Sequence, residues 1–182
     1  MYEVSDKELI TQVAHGCRDA YRQLLQRQLP AVSRYVARML GQAAETEDIV
    51  QEVFLRLWTQ AQRYDPALAQ VSTWLHKIAH NLCIDYFRKQ QPLDFEAHSK
   101  DESGGSEPDA EHRSDILQKD VRLALLDLPE RQRSALLLCH FQELSNKEAA
   151  AVLEISVDAL ESLLARARRR LRSTLEKPHG LD

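Results

Sequence analysis

The chain has 182 residues, with only 5 Gly and 6 Pro among abundant Leu, Ala, Arg, Gln and Glu, which is enough for one large or two small domains and argues for an all-α protein. Three scattered cysteines, Cys17, Cys83 and Cys139, argue against a disulfide framework, and neither a signal-peptide pattern nor a run approaching the roughly 20 apolar residues that span a bilayer is present, so a cytoplasmic location is expected. The net charge of −4 disfavours nucleic acid only until it is divided: residues 1–90 hold 11 Lys+Arg against 10 Asp+Glu, 91–112 hold 1 against 7, and 113–182 hold 12 against 11.

Ser5 and Glu8 form an S-x-x-E capping box, so a first helix should begin at Asp6 and run through Val13 toward Gly16. From Arg18 the positions Ala20, Tyr21, Leu24, Leu25 and Leu29 recur at helical spacing. Pro30 is expected to start a new segment, in which Val32, Tyr35, Val36, Met39 and Leu40 continue the pattern to Gly41. Glu45, Glu47 and Asp48 then open a helix whose Ile49, Val50, Val53, Phe54, Leu57 and Trp58 share one side. Asp48, Gln51, Glu52, Leu55 and Arg56 are left for solvent or a partner, and an exposed Leu55 among polar neighbours suggests docking.

A loop over residues 64–71 precedes a helix over 72–89, with Leu75, Ile78, Ala79, Leu82 and Phe87 toward the core. Thr73, His76, Lys77, His80, Asn81 and Arg88 fall on its more polar faces. Amides, imidazoles and cations beside Trp74 and Tyr86 suit single-stranded nucleic acid, whose bases stack on aromatic rings while its phosphates meet Lys and Arg. His76, His80 and Cys83 share a face at metal-ligand spacing, but no fourth ligand is near and Lys77 would oppose a cation, so no metal is expected.

Residues 91–112 are acidic and contain Ser103-Gly104-Gly105-Ser106, the composition of a flexible linker. Such a linker should let the parts on either side reorient. Beyond it Ile116, Val121, Ala124, Leu125 and Leu128 form an apolar face, Pro129 should open a helix at its first position, and residues 135–141 read as a core helix. Ser145 and Glu148 make a second capping box, so a helix starting at Asn146 should bury Ala149, Ala150, Val152 and Leu153.

After a tight turn Ser156 caps another helix, with Leu160, Leu163, Leu164, Ala167, Leu171 and Leu175 as its stripe and Arg166, Arg168, Arg169, Arg170 and Arg172 filling much of the rest. This pair describes a helix-turn-helix whose second helix could enter a major groove; the bland alternative is an amphipathic pair with a solvated arginine face. Glu154 occupies the turn where such motifs often place Gly, so either a left-handed residue is strained there or the turn is made differently.

No phosphate loop, nucleophile elbow or carboxylate cluster occurs, so no catalytic residue, no cofactor and no enzyme activity are expected. TEDIVQEVFLRLW followed by STWLHKIAHNLCIDYFRK resembles region 2 of bacterial extracytoplasmic-function (ECF) sigma factors, in the sigma-70 superfamily. Downstream, LDLPERQRSALLLCHFQELSNKEAAAVLEISVDALESLLARARRRLR resembles their region 4. The resemblance implies two small helical domains: region 2 over 1–90 and region 4 over 114–177, joined by the linker 91–113 and followed by a tail, 178–182.

It further implies binding to core RNA polymerase, at the β′ clamp and the β flap, and to promoter DNA in duplex and single-stranded form. Clamp docking falls on Asp48, Gln51, Glu52 and Leu55, and minus-ten reading and melting on Thr73, Trp74, Lys77, His80, Asn81 and Arg88. Minus-thirty-five reading falls on Ser156, Asp158, Glu161, Ser162, Arg166 and Arg169, and an anti-sigma factor is implied as the restraining partner. Many relatives carry basic residues where this chain has Glu161 and Leu163. Glu161 is expected either to stabilise its helix N-terminus together with Asp158 or to accept a hydrogen bond from a cytosine N4. The competing function is a stand-alone helix-turn-helix regulator on duplex operators, which leaves residues 48–88 without a role.

Overall fold

The computed structural model describes residues 4–41, 43–90 and 112–176, with side chains from residue 119 in the last span; these residues form eight α-helices and no strand. The expected acidic linker lies largely outside the described residues, as does the tail. In α1 (Asp6–Ala14) both halves of the capping box form: the Glu8 N–H donates to Ser5 Oγ at 3.3 Å and the Ser5 N–H to Glu8 Oε2 at 2.9 Å. Leu9, Ile10 and Val13 are buried, and Asp6 ties the helix to the next one by accepting from Arg27 at 2.8 Å and Gln28 at 2.6 Å.

α2 (Arg18–Leu40) departs from expectation by running 23 residues straight through Pro30. A mid-helix proline loses one hydrogen bond and crowds the preceding turn, at a cost of roughly 3 kcal/mol. Here the ring is exposed, while Ala20, Leu24, Gln28, Val32, Tyr35, Val36 and Met39 form one buried stripe across it. Keeping that stripe collinear outweighs the local penalty. Gly41, at φ +75°, ends the helix in the left-handed conformation that glycine adopts without strain.

α3 (Thr46–Gln60) continues into a 3₁₀ turn (Ala61–Arg63) and packs on α2 through Val50, Val53, Phe54 and Leu57. The loop 64–70 leads to α4 (Val71–Gln90), which closes the first bundle. The second bundle comprises α5 (His112–Leu126), α6 (Glu130–Leu136), α7 (Asn146–Leu153) and α8 (Val157–Leu175). Pro129 sits one position earlier than expected, as the N-cap of α6. The expected helix over 135–141 changes character at Leu137, where a π-helical turn (Leu137–Phe141) begins.

Both capping residues of the helix-turn-helix act as expected: the Glu148 N–H donates to Ser145 Oγ at 3.3 Å and the Ala159 N–H to Ser156 Oγ at 3.1 Å. Glu154 is left-handed at φ +55° and ψ +43°, so the turn does hold a strained residue. On α8, Leu160, Leu164 and Ala167 are buried and Leu163 and Leu171 half-buried, whereas Leu175 drops out of the stripe and is exposed.

The two bundles touch. α4 lies against α7, and α2 against α5 and the π turn, so that one apolar cluster runs from Leu9 to Ala167. Leu126 seats on Gly41 where no Cβ intervenes: a Cβ there would meet Leu126 Cδ1 at 2.8 Å.

Replacing Pro30 by Ala restores a helix donor at an exposed position and should stabilise the chain by on the order of 1–3 kcal/mol. The thermal midpoint followed by circular dichroism checks it; an unchanged midpoint would mean that the proline already sits without cost.

Candidate nucleic-acid interface

Three surfaces gather the residues expected to function. The first is α4 with the loop before it. Asp65 caps that loop by accepting from the Ala67 N–H at 2.8 Å, and the Tyr64 hydroxyl donates to the Ala69 carbonyl at 2.8 Å. Leu68 stands at its tip, 83% exposed. Between the loop, the start of α4 and the start of α1 lies a cleft of about 250 Å³ lined by Asp6, Lys7, Tyr64, Pro66, Gln70 and Ser72, among others. Trp74 packs edge-on against Tyr64, with ring centroids 5.6 Å apart.

Farther along α4 the structure corrects the expected polar face. Thr73, His76 and His80 are buried; Lys77 is half-buried, and Asn81 and Arg88 are exposed. Thr73 Oγ1 donates to Glu148 Oε1 at 3.2 Å, and Lys77 Nζ meets Glu154 Oε1 at 2.8 Å. Both carboxylates come from the helix-turn-helix. The cause is twofold: α7 lies across α4 at Thr73 and Lys77, and His76 and His80 pack on Tyr35 of α2. One signal was present in the sequence: the supposedly wet face carries Thr73, His76 and His80, groups that can be buried neutral, where a solvated face ordinarily carries Lys and Glu.

His80 Nδ1 lies 3.1 Å from the Tyr35 hydroxyl, and His76 Nδ1 lies 2.8 Å from the Ser72 carbonyl. Burial, reinforced by the nearby Arg131 charge and opposed by Glu154, pulls His80 down to about 4; burial also lowers His76. The Cys83 thiol is pushed up to about 12 by burial, which keeps it protonated and a poor metal ligand at neutral pH. Among the described residues no three His, Cys, Asp or Glu side chains are arranged to hold a metal ion.

The second surface is the groove between α2 and α3. Asp48, Gln51 and Leu55 are exposed as expected, Leu55 by 54%, while Glu52 is partly covered by its ion pair with Arg56 at 2.8 Å. Two adjoining clefts of about 500 and 510 Å³ extend this face onto α2 through Tyr21, Leu25 and Leu29. Those three residues were missed in the sequence, where they read only as part of the α2 stripe. Tyr21 is held in place by donating to the Phe54 carbonyl at 3.2 Å and by packing edge-on against Trp58, 5.3 Å between centroids.

The third surface is α8. Asp158, Glu161, Ser162, Arg166 and Arg169 are exposed, whereas the Ser156 hydroxyl is engaged as the helix cap. Glu161 Oε1 accepts from Asn146 Nδ2 at 3.4 Å, a tie across the two helices that helical spacing alone does not reveal. Ser162 Oγ donates back to the Asp158 carbonyl at 3.0 Å. Arg166, Arg169 and Arg170 line a cleft of about 500 Å³ with Gln132 of α6 and Ser173, so Gln132 joins the basic face unannounced by any motif. Arg170 also pairs with Asp127 at 3.4 Å.

Residues 24–92 match the family model for sigma-70 region 2, and residues 118–171 that for sigma-70 region 4. The chain is 32% identical over 184 residues to the ECF RNA polymerase sigma factor SigW of Bacillus subtilis, covering 95% of this chain and 98% of that one. It is likewise 32% identical to the ECF RNA polymerase sigma factor RpoE of Cereibacter sphaeroides, covering 87% of each. Among solved structures it is similar to CnrH in complex with the cytosolic domain of CnrY, at a TM-score of 0.72 and 28% identity over 94% of this chain and 97% of that one. It shares a fold with RpoE of Bartonella quintana in complex with the anti-sigma factor NepR, at a TM-score of 0.68 and 22% identity over 87% and 98%.

His80 is held neutral among Tyr35, Arg131, Glu154 and the neighbouring His76, with its folded-state pKa about 4, below the ordinary 6.5. The stability it contributes is therefore complete above pH 6.5 and is lost as pH falls toward 4. The thermal midpoint should decline between pH 6.5 and 5, and His80→Gln should flatten the decline; equal slopes would exclude His80 as its source.

Proposed function

The chain belongs to the ECF RNA polymerase sigma factors of the sigma-70 family, and on that premise we propose that it carries core RNA polymerase to promoters through three separate surfaces. The observation that carries this is their coexistence in one chain: an open α2–α3 groove with an apolar centre, an aromatic and cationic stretch around α4, and an exposed basic recognition helix. A duplex regulator has no use for the first two. We assign region 2 to residues 1–90, the linker to 91–113, region 4 to 114–177 and the tail to 178–182.

In this reading Asp48, Gln51, Glu52 and Leu55, extended by Tyr21, Leu25 and Leu29, dock on the β′ clamp, and region 4 meets the β flap. Leu55 is the natural centre of that contact, an exposed apolar side chain ringed by polar groups. Thr73, Trp74, Lys77, His80, Asn81 and Arg88 engage the non-template strand at the minus-ten element. The cleft between loop 64–70 and α1 takes an extruded base, since unstacking costs a few kcal/mol and needs an enclosing site to offset it. Ser156, Asp158, Glu161, Ser162, Arg166 and Arg169 address the minus-thirty-five duplex. Thr73 and His80 must be uncovered before they can act.

The protein supplies specificity while the polymerase supplies the chemistry, so it acts in the cytoplasm without catalysis of its own. Among the described residues no helix is long and apolar enough to cross a membrane. An anti-sigma factor as restraining partner is supported by the two similar structures, each solved with a bound partner chain.

Run-off transcription with bacterial core polymerase on a promoter library tests the whole. Specific starts should appear only when both proteins are present; tight duplex binding without polymerase, and no initiation, would favour the stand-alone regulator. Leu55→Arg should weaken core binding by about tenfold or more, equivalent to about 1.4 kcal/mol, at an unchanged thermal midpoint. Glu161→Gln and Glu161→Arg should each change the preferred base within the distal element. An unchanged preference would leave Glu161 as a helix-terminus residue tied to Asn146.

A further inference from the structure

Within the helix-turn-helix, α7 and α8 are joined by a chain of polar contacts that the turn between them does not require. Asn146 is the first residue of α7, and the capping box before it fixes its place: the Ser145 N–H donates to Glu148 Oε2 at 2.9 Å, and the Glu148 N–H donates to Ser145 Oγ at 3.3 Å. On one side Asn146 Oδ1 accepts from the Cys139 thiol at 3.9 Å; on the other, Asn146 Nδ2 donates to Glu161 Oε1 at 3.4 Å. A carboxylate only accepts and a protonated thiol donates, so this orientation of the amide satisfies both neighbours. Cys139 stays protonated, since its partial burial raises the thiol above its ordinary value, with Arg168 opposing.

Glu161 stands exposed more than a turn into α8, beyond the helix-start N–H groups that need capping. Among the described residues its Oε2 has no hydrogen-bond or ion-pair partner, and the cations of α8 begin only at Arg166. The phosphates flanking a groove repel an anion at the reading end of a helix, and a free glutamate would swing aside from them. A carboxylate can accept from a base edge that offers an amino group, cytosine N4 or adenine N6, and is repelled by the keto oxygens of guanine and thymine. Held by a tether, it cannot turn away from a keto oxygen, so the tie sharpens rejection as much as acceptance.

We propose that Asn146 is a positioning residue for promoter specificity: its amide holds one oxygen of Glu161 and leaves the other toward the groove, so that the pair selects an amino-bearing base, cytosine or adenine, at one position of the distal element. This rests on the reading of α8 as the helix that enters that element and of Glu161 as a residue that reads a base there. Asn146 itself touches no base, because both ends of its amide are engaged within the protein.

The test uses the full chain with core RNA polymerase on a promoter library randomised over the distal element. Sequenced run-off products give, at each position of one strand, the ratio of amino-bearing to keto-bearing bases. Asn146→Ala removes the tether. Asn146→Asp replaces the donor by a second carboxylate that suits the positive N-terminal end of α7, so a loss it causes is not a loss of the helix. Glu161→Ala and the double variant Asn146→Ala with Glu161→Ala complete a cycle, and circular dichroism follows the thermal midpoint of each.

At the position that Glu161→Ala alters, Asn146→Ala should lower the ratio by about fivefold, the cost of ordering a freed side chain at the groove. Asn146→Asp should lower it at least as much, with the other positions and its thermal midpoint unchanged, and the double variant should match Glu161→Ala alone. The parent ratio retained in both Asn146 variants, where Glu161→Ala changes it, would overturn the positioning role and leave Glu161 a reader by itself. Ratios falling at several positions alike, or a double variant worse than Glu161→Ala, would overturn it too, since Asn146 would then shape α7 or touch DNA directly. A profile that Glu161→Ala leaves unchanged at every position would instead overturn Glu161 as a base reader, and the role of Asn146 with it.

Discussion

The buried guanidinium of Arg133 is the constraint on which the arrangement of the helices depends. From α6 it donates to the carbonyl of Met39 at the end of α2, and to the carbonyls of Leu126 and Leu128, each at 3.1 Å, where α5 gives way to α6. The last carbonyls of a helix have no partner within it and carry the negative end of its dipole, so a cation with several fixed donors suits such a convergence. Burial lowers the Arg133 pKa, yet the charge keeps its place because both terminal nitrogens are engaged by carbonyls from both halves of the chain, while the buried Nε has no partner among the described residues. The Phe87 ring of α4 lies 5.7 Å away and brings a fourth helix to the same point.

From that junction follows which surfaces the molecule shows. With α2 anchored to α5 and α6, α7 comes to rest on α4, and Tyr35, the largest fully buried side chain, reaches across to His80. The α2–α3 groove and the outer face of α8 point away from the junction and stay open. The two faces proposed for docking and duplex reading thus lie outside, while Thr73 and His80 of the face proposed for strand reading lie within.

Local rules are broken where tertiary contacts offset the cost. Glu154 and Glu143 take left-handed conformations at φ +55° and +56°, and both bracket α7, the helix that must fit across α4. Glu154 has a compensating contact in Lys77. Pro30 is carried within α2 by the continuous stripe on the opposite side of that helix.

The sequence by itself determined the local elements and the outward faces. The boxes at Ser5 and Ser145, the stop at Gly41, the stripes of α3 and α8, and the exposure of Asp48, Gln51, Leu55 and Arg166 all follow from spacing of three or four residues along a helix, a relation that the chain carries within itself. Only the tertiary structure decided that Thr73 and His80 are covered, that Tyr21, Leu25 and Gln132 line surface clefts beside the expected site residues, that α2 survives Pro30, and that Glu161 is tied to Asn146. The contacts behind them join residues 15 to 75 positions apart, as with Asn146 and Glu161 or Thr73 and Glu148. Helical periodicity records which side of a helix is apolar; whether its polar side meets water or another helix is settled when the bundles pack, and there neutral side chains that hydrogen-bond to each other can be buried as readily as apolar ones.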